Sequence, residues 1–446
     1  MSKVLLKTEI PGPRSREVVA REAEHLAPGL QGFALWAGVA MAKGEGSLLT
    51  DVDGNRYIDL IGGIGVNALG HCHPAYVDAI RQQAALLTVG SFTSEPRAAL
   101  VGEVAALAPV GLDRLQLYSG GSEAVESALR LARQFTGKSE VVGFSGAFHG
   151  KTAGAAALMG ATSKAGLGPL PAGSHSIPYA DCYRCPFGLE APRCGLACAD
   201  FARRQIKRSF QPLAAVIVEP MQGTAGNVIP PREFLLAVAE ATHEAGALFV
   251  ADEMITGFGR TGTPWGVDHS GARPDVVTLG KGFGSGFPVS GVLTRTEIAQ
   301  AKPWANPSGA SSSYGGNPLA AAAALASVRT IRSEQLWNNA ARVGEVMLAE
   351  LRRMAERHPF IGDVRGAGLF LGLELVRDRG TKEPLGAAVM QRVYQRCVQR
   401  GLLAMSYSPH VRLQPALTID AETALEGLAL LDAVFAELGA SNEWKQ

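Results

Sequence analysis

Apolar positions recur through the middle of this chain in two alternating rhythms. In SEAVESALRLARQF, residues 122–135, they fall at helical spacing and the run stops at Gly137, whereas VVGFS, residues 141–145, is a short continuous run that predicts a buried strand. The alternation repeats in LAAVIVEP, the helical REFLLAVAEATHEAG, ALFVADE and DVVTLGKG, between residues 213 and 282. Apolar strand, turn and helix in succession predict an α/β fold, a mostly parallel sheet flanked by helices. Before this region, LLTDVDGNRYIDL (48–60) reads as two strands about an Asp-Gly turn. After it, Asn317-Pro318 starts a long Ala-rich helix, PLAAAAALASVRTIRSEQL, which leads out of the large domain. Charged helices then alternate with GLFLGLELV and HVRLQPALTI, the pattern of a smaller α+β domain.

Composition adds mainly exclusions. With 446 residues, 42 basic against 41 acidic side chains and a net charge of +1, the chain offers no charge excess that would suggest nucleic acid or a membrane surface as a partner. The first residues break a short apolar run with charges and prolines, so no secretory signal is expected. A cytoplasmic protein is the expectation.

Four positions carry candidate chemistry. DVVTLGKG delivers Lys281 between two glycines at the carboxyl end of a strand, the edge where open α/β sheets bind ligands. ALFVADE ends in Asp252 and Glu253, which as a carboxylate pair could also serve only to cap a loop. In SGGSEAVESALRLAR, Gly121 and Ser122 open a helix whose free amides suit a phosphate, although Ser122 is equally suited to plain capping. GFSGAFHG sets Phe148 and His149 in a glycine-bordered turn, where an aromatic face either stacks on a flat ring or joins the core. Amine, carboxylate, phosphate site and aromatic face together describe pyridoxal 5′-phosphate held as a Schiff base.

The ordered set SGGSEAVESALRLAR, FSGAFHGKT, VEPMQG, ADEMITGFGRTG, TLGKG, SYGGNPLA and DVRGAGLFLGLEL resembles the class III (omega) aminotransferases of fold type I, from about residue 48 to about residue 418. The resemblance implies a homodimer with shared active sites and three segments: 1–60 contributing to a small domain, 61–325 as the large cofactor domain, and 326–446 completing the small domain. It further implies Lys281 as the Schiff-base lysine and proton carrier, and Asp252 on the ring nitrogen with His149 behind it. Phe148 and Met254 would cover the two ring faces, with Ile255 at the phenol oxygen, Gly121 and Ser122 at the phosphate, and Ser313 reaching the neighbouring subunit's phosphate. Glu219 would be a pocket carboxylate near the substrate, and Arg412 the grip on its α-carboxylate.

Three departures from the family pattern narrow the substrate. Thr224 stands where a glutamate usually masks the arginine, Ile255 where a glutamine is usual, and Lys151 where acetylornithine enzymes have an arginine. They favour partners that carry a carboxylate in both half-reactions, or a pyruvate-type acceptor. The implied activity is transfer of an amino group from an amino acid or amine to a 2-oxo acid, pyruvate or 2-oxoglutarate. An amino-acid racemase or epimerase and a decarboxylating transaminase share the same residues.

One motif stands apart from this chemistry. Cys182, Cys185, Cys194 and Cys198 follow a C-x2-C, eight-residue, C-x3-C spacing. Four thiolates in this spacing suit a structural zinc, while a reduced or disulfide-bonded loop is the alternative. A zinc-binding scaffold on a retired enzyme fold is the reading this motif would carry by itself. No catalytic metal is expected.

Overall fold

The computed structural model describes residues 2–160, 164–208 and 210–445. They form two compact units, one of residues 75–337 and one built from both chain ends, 1–74 and 338–446.

The 75–337 unit is organised on a seven-stranded sheet. In spatial order its strands are Arg114–Tyr118, Ser290–Thr294, Val276–Leu279, Leu248–Asp252, Leu213–Val218, Glu140–Phe144 and Ser174–Ile177. Ser290–Thr294 runs antiparallel to both its neighbours; the other pairs are parallel. Strand Leu213–Val218 is buried at every residue, which explains its unbroken apolar sequence: side chains of period two enter two different cores. Val216 and Val218 pack with Phe234 and Val238 of helix Arg232–Glu244, while Ala215 and Ile217 pack with Val125 and Leu129 of helix Gly121–Thr136. That second helix ends where Gly137 turns left-handed at φ 68°.

Helix Pro318–Ser333 starts as the sequence predicts, with Asn317 Oδ1 accepting the Ala320 N–H at 2.9 Å. It stops three residues earlier than the Ala-rich pattern suggests, and Gln335 adopts a positive φ.

In the unit of both chain ends, the expected hairpin forms between Leu48–Asp51 and Arg56–Asp59. The distant strand Leu402–Leu403 pairs in parallel with Ile58 and Asp59. A second sheet holds Ile361–Ala367, Phe370–Asp378, His410–Leu413 and Met405–Tyr407. The strand expected from HVRLQPALTI ends at Leu413, because Gln414 turns its N–H to Leu60 O and Pro415 has no N–H to continue a ladder.

Candidate active site

The candidate residues of the 75–337 unit gather where its parallel strands end. Asp252 is the last residue of its strand, and its ladder partner Thr278 lies three positions before Lys281. Asp252 Oδ2 stands 2.6 Å from His149 Nδ1, with both side chains essentially inaccessible. Asp252 Oδ1 accepts the Thr278 hydroxyl at 3.0 Å and the Met254 N–H at 3.2 Å. Burial works against a charge on His149, but the hydrogen bond to Asp252 and the fields of Asp252 and Glu219 outweigh it and push its pKa up.

Lys281 is half-buried and has a φ of 45°, left-handed backbone that costs a residue other than glycine about 1–3 kcal/mol. It opens a tight turn in which Gly284 N and Ser285 N both reach back to Lys281 O. The glycine before it lies close to Met254: a Cβ on Gly280 would sit 2.7 Å from Met254 Sδ, and one on Gly121 would sit 3.1 Å from the same sulfur. Met254 therefore packs where the start of helix Gly121–Thr136 meets the lysine turn.

At that helix start, Gly120 is the extended cap residue and Ser122 lies inside the first turn, so capping by Ser122 is not what the structure uses. Glu123 Oε2 instead accepts the N–H groups of Ser119 and Gly120 at 3.0 and 3.3 Å. The Ser122 hydroxyl accepts the Lys151 N–H at 3.3 Å. Gly150, at φ 132°, leaves no space for a Cβ, which would lie 2.1 Å from Ser122 Oγ. Phe148 is half-buried in this same turn.

Glu219 is buried, and its two oxygens accept the Phe148 N–H at 2.8 Å and the Gly223 N–H at 3.0 Å. Burial pushes its pKa up; His149 and the two amides oppose this, while Asp252 adds to it. Ile255 is buried against Gly223, whereas Thr224 and Ser313 are exposed. Arg412 belongs to the other unit, where it is buried on strand His410–Leu413 with Nη2 3.3 Å from Met405 Sδ.

Three contributors escaped the sequence reading. Thr278 orients Asp252, and its signal was a polar residue inside an otherwise apolar strand. Ser290 donates to Gly120 O at 2.8 Å, and Tyr179 donates to the carbonyls of Glu219 and Pro220 at 3.1 and 3.0 Å. Neither is close in sequence to its target, so nothing local marked them.

These residues fit pyridoxal 5′-phosphate chemically. Asp252, backed by His149 and Thr278, suits a cationic ring nitrogen, and Lys281 suits an aldehyde. The amides of Gly121 and Ser122 belong to a first helical turn, which leaves such groups without intrahelical partners and suits a phosphate. Glycine at 121, 150 and 280 keeps this ground clear of side chains.

The four clustered cysteines lie elsewhere, around a cavity of about 490 Å³ that contains none of these residues. All four are free thiols. Among the described residues no three His, Cys, Asp or Glu side chains stand together as a group able to hold a metal ion. The disulfide alternative is therefore not realised, and the spacing does not assemble a preformed zinc site.

The aminotransferase class-III family model matches residues 34–435. A leucine/methionine racemase from Thermococcus litoralis is 34% identical over 412 residues, spanning 90% of this chain and 92% of that protein. A 4-aminobutyrate aminotransferase from Mycobacterium tuberculosis is 35% identical over 450 residues, spanning 97% and 98%. Among solved structures, a thermostable (S)-enantioselective omega-transaminase from Thermomicrobium roseum has a TM-score of 0.89 at 31% identity, covering 97% of this chain and 100% of that one. Sequence and fold agree: the chain belongs to the class III aminotransferases.

Proposed function

We propose that this aminotransferase moves an amino group between two partners that each carry a carboxylate, an amino acid donor and a 2-oxo acid acceptor such as pyruvate or 2-oxoglutarate. The observation that carries the reading is the buried Asp252–His149 pair at 2.6 Å beside the strained lysine turn. Bound pyridoxal phosphate supplies the electron sink for the carbon that loses its proton. Lys281 Nζ carries that proton, Asp252 keeps a positive ring nitrogen in place, and the first turn of helix Gly121–Thr136 holds the phosphate. Arg412 grips the substrate carboxylate as a planar fork. Thr224, at the position where a glutamate usually masks this arginine, supplies no carboxylate of its own to compete with the substrate's.

A donor and acceptor panel on the purified protein tests this. An amino acid donor paired with pyruvate or 2-oxoglutarate is expected to yield the acceptor's amino acid, and failure with every pair would sink the proposal. In the same assay Arg412→Leu is expected to lower kcat/KM for amino acids by about a hundredfold or more, because it removes a charge-assisted carboxylate contact. Amines without a carboxylate should lose far less.

A second reading, amino-acid racemisation, is favoured by the similarity to the Thermococcus litoralis racemase. One enantiomer incubated without acceptor separates the two: inversion with no 2-oxo acid formed supports racemisation.

The proposed assembly is a homodimer. Leu86 and Phe92, 80% and 88% exposed, lie in an apolar stretch of the 75–337 unit that a second copy would cover, and Ser313 is exposed as a contact to a neighbouring site requires. Light scattering tests it, with a monomer as the contrary result. Free thiols suit a reducing, cytoplasmic setting, and no helix of the described residues is long and apolar enough to cross a membrane.

A further inference from the structure

The backbone that presents Lys281 is left-handed again within a few residues: Lys281 and Ser285 have φ 45° and Gly286 has φ 114°. Two of these are L-residues, for which this region is unfavourable, so the turn keeps its shape only with support from outside it. Its first half closes on Lys281 O, which accepts the N–H groups of Gly284 and Ser285 at 3.0 and 3.1 Å. Its second half is closed by Tyr76 of helix Pro74–Ala84, 208 positions before Gly284. The Tyr76 hydroxyl donates to Gly284 O at 2.7 Å and accepts the Phe287 N–H at 3.1 Å. One group thus spends a donor and an acceptor on the two ends of residues 284–287. A second hydroxyl, Ser327 of helix Pro318–Ser333, donates to Gly282 O at 3.0 Å. The turn is tightly folded, since a Cβ on Gly284 would lie 2.3 Å from Phe287 O and 2.6 Å from Val289 Cγ1.

We propose that Tyr76 is a positioning residue for Lys281: its hydroxyl clamps residues 284–287, and through the Gly284 and Ser285 amides that clamp fixes the backbone from which the lysine side chain starts. Tyr76 acts on the turn and not on a reacting atom. The consequence for the cofactor rests on the function proposed above, in which Lys281 binds the aldehyde. A lysine fixed in place meets that aldehyde as an intramolecular partner, at an effective concentration that a free amine must match to displace it. In the displacement, the incoming nitrogen bonds to the aldehyde carbon as that carbon's bond to Lys281 Nζ breaks, and the two protons shed by the incoming amine end on the lysine. A looser turn lowers the effective concentration, so displacement becomes easier.

The test uses methylamine at graded concentrations on the cofactor-loaded protein. Borohydride then fixes whatever cofactor is still bound to Lys281, and mass spectrometry of the Lys281 peptide measures it. Tyr76→Phe keeps the ring and removes only the clamp, and is expected to lower the methylamine concentration at half displacement by about tenfold. Amide hydrogen exchange of the two proteins as purified supplies a second reading that needs no bound cofactor. Residues 281–287 should exchange about tenfold faster in Tyr76→Phe, with strand Leu213–Val218 unchanged. Unchanged exchange at 281–287 overturns the proposal, and so does an unchanged half-displacement. Faster exchange in both segments also overturns it, because the hydroxyl would then support the whole unit and not this turn. If borohydride fixes no cofactor to Lys281 of the unaltered protein, the function proposed above fails, while the exchange comparison still decides the clamp.

Discussion

The carboxylate of Glu253 accepts the backbone N–H of Val267 at 2.8 Å. Its other oxygen takes the Gly266 N–H at 2.9 Å and the Thr256 hydroxyl, so this residue, next in sequence to Asp252, anchors the loop that follows the strand.

Glu253 is fully buried, and burial raises its pKa to about 7 from 4.5 against the opposing hydrogen bonds of Thr256, Val267 and Gly266. Between those values the folded state keeps a proton that the unfolded chain has released. Stability contributed by this group is therefore present in acid and falls as pH rises from 4.5 to about 7, by roughly 3 kcal/mol in total. Denaturant unfolding across that window should show the decline, and Glu253→Gln should remove it. The same variant is expected to be less stable in acid by about 1–3 kcal/mol, because an amide cannot accept from every donor around the site. A pH slope unchanged in Glu253→Gln would assign the decline to other groups.

Lys281 separates activity from stability. Both Lys281→Ala and Lys281→Gly are expected to lose at least about a hundredfold in turnover with the proton carrier. They should differ in unfolding. An L-residue in left-handed backbone costs about 1–2 kcal/mol, and glycine returns about 0.5–1 kcal/mol of that through its freer unfolded chain. Lys281→Gly should therefore be the more stable of the two by about 0.5–1 kcal/mol, read from denaturant midpoints. Equal midpoints would mean that the strained φ is not held in solution.

The glycines around the helix start should not respond alike. A methyl group on Gly280 meets the sulfur of Met254, a flexible side chain that can move, and Met254→Ala in the same chain should recover much of any loss. On Gly150 it meets the Ser122 hydroxyl and also Ser122 Cα at 3.0 Å, and φ 132° is outside the range of L-residues. Gly150→Ala is expected to cost more than 2 kcal/mol and to release pyridoxal phosphate on dialysis, neither of which Ser122→Ala should rescue fully. Full rescue would show that the hydroxyl alone sets the constraint.

These contrasts mark what the sequence made legible. Strands such as Leu213–Val218 and the helix ending at Gly137 were readable because burial on two faces and a left-handed cap leave local signatures. Lys281, Asp252 and His149 were readable because motif order supplied their company. The contacts that set their geometry were not: Thr278 reaches Asp252 across a strand pair, and Glu219, expected only as a pocket carboxylate, binds the Phe148 amide 71 positions away. Such contacts depend on sheet register and loop closure, which no local spacing encodes. The cysteine motif shows the converse. Its spacing suited a structural zinc or a reduced loop alike, and in the structure the four cysteines are free thiols around one cavity.

Those thiols give a last expectation. Cys182 is exposed, yet partial burial together with the neighbouring Cys198, Cys194, Asp181 and Cys185 pushes its pKa up to about 11. Alkylation proceeds through the thiolate, so at pH 8 only about one molecule in a thousand is reactive at this site. Peptide mapping after iodoacetamide treatment should find Cys182 modified about two orders of magnitude more slowly than an ordinary free thiol, with the rate rising about tenfold per pH unit up to its pKa. Under denaturing conditions without reductant, all six cysteines should titrate as thiols. A bound metal would also keep labelling slow but would flatten its pH dependence, because coordination deprotonates the thiol and shields the sulfur. A chelator that speeds labelling of Cys182, Cys185, Cys194 and Cys198 together would therefore establish a metal at this loop, whereas labelling indifferent to chelator leaves it a set of weakly acidic, metal-free thiols.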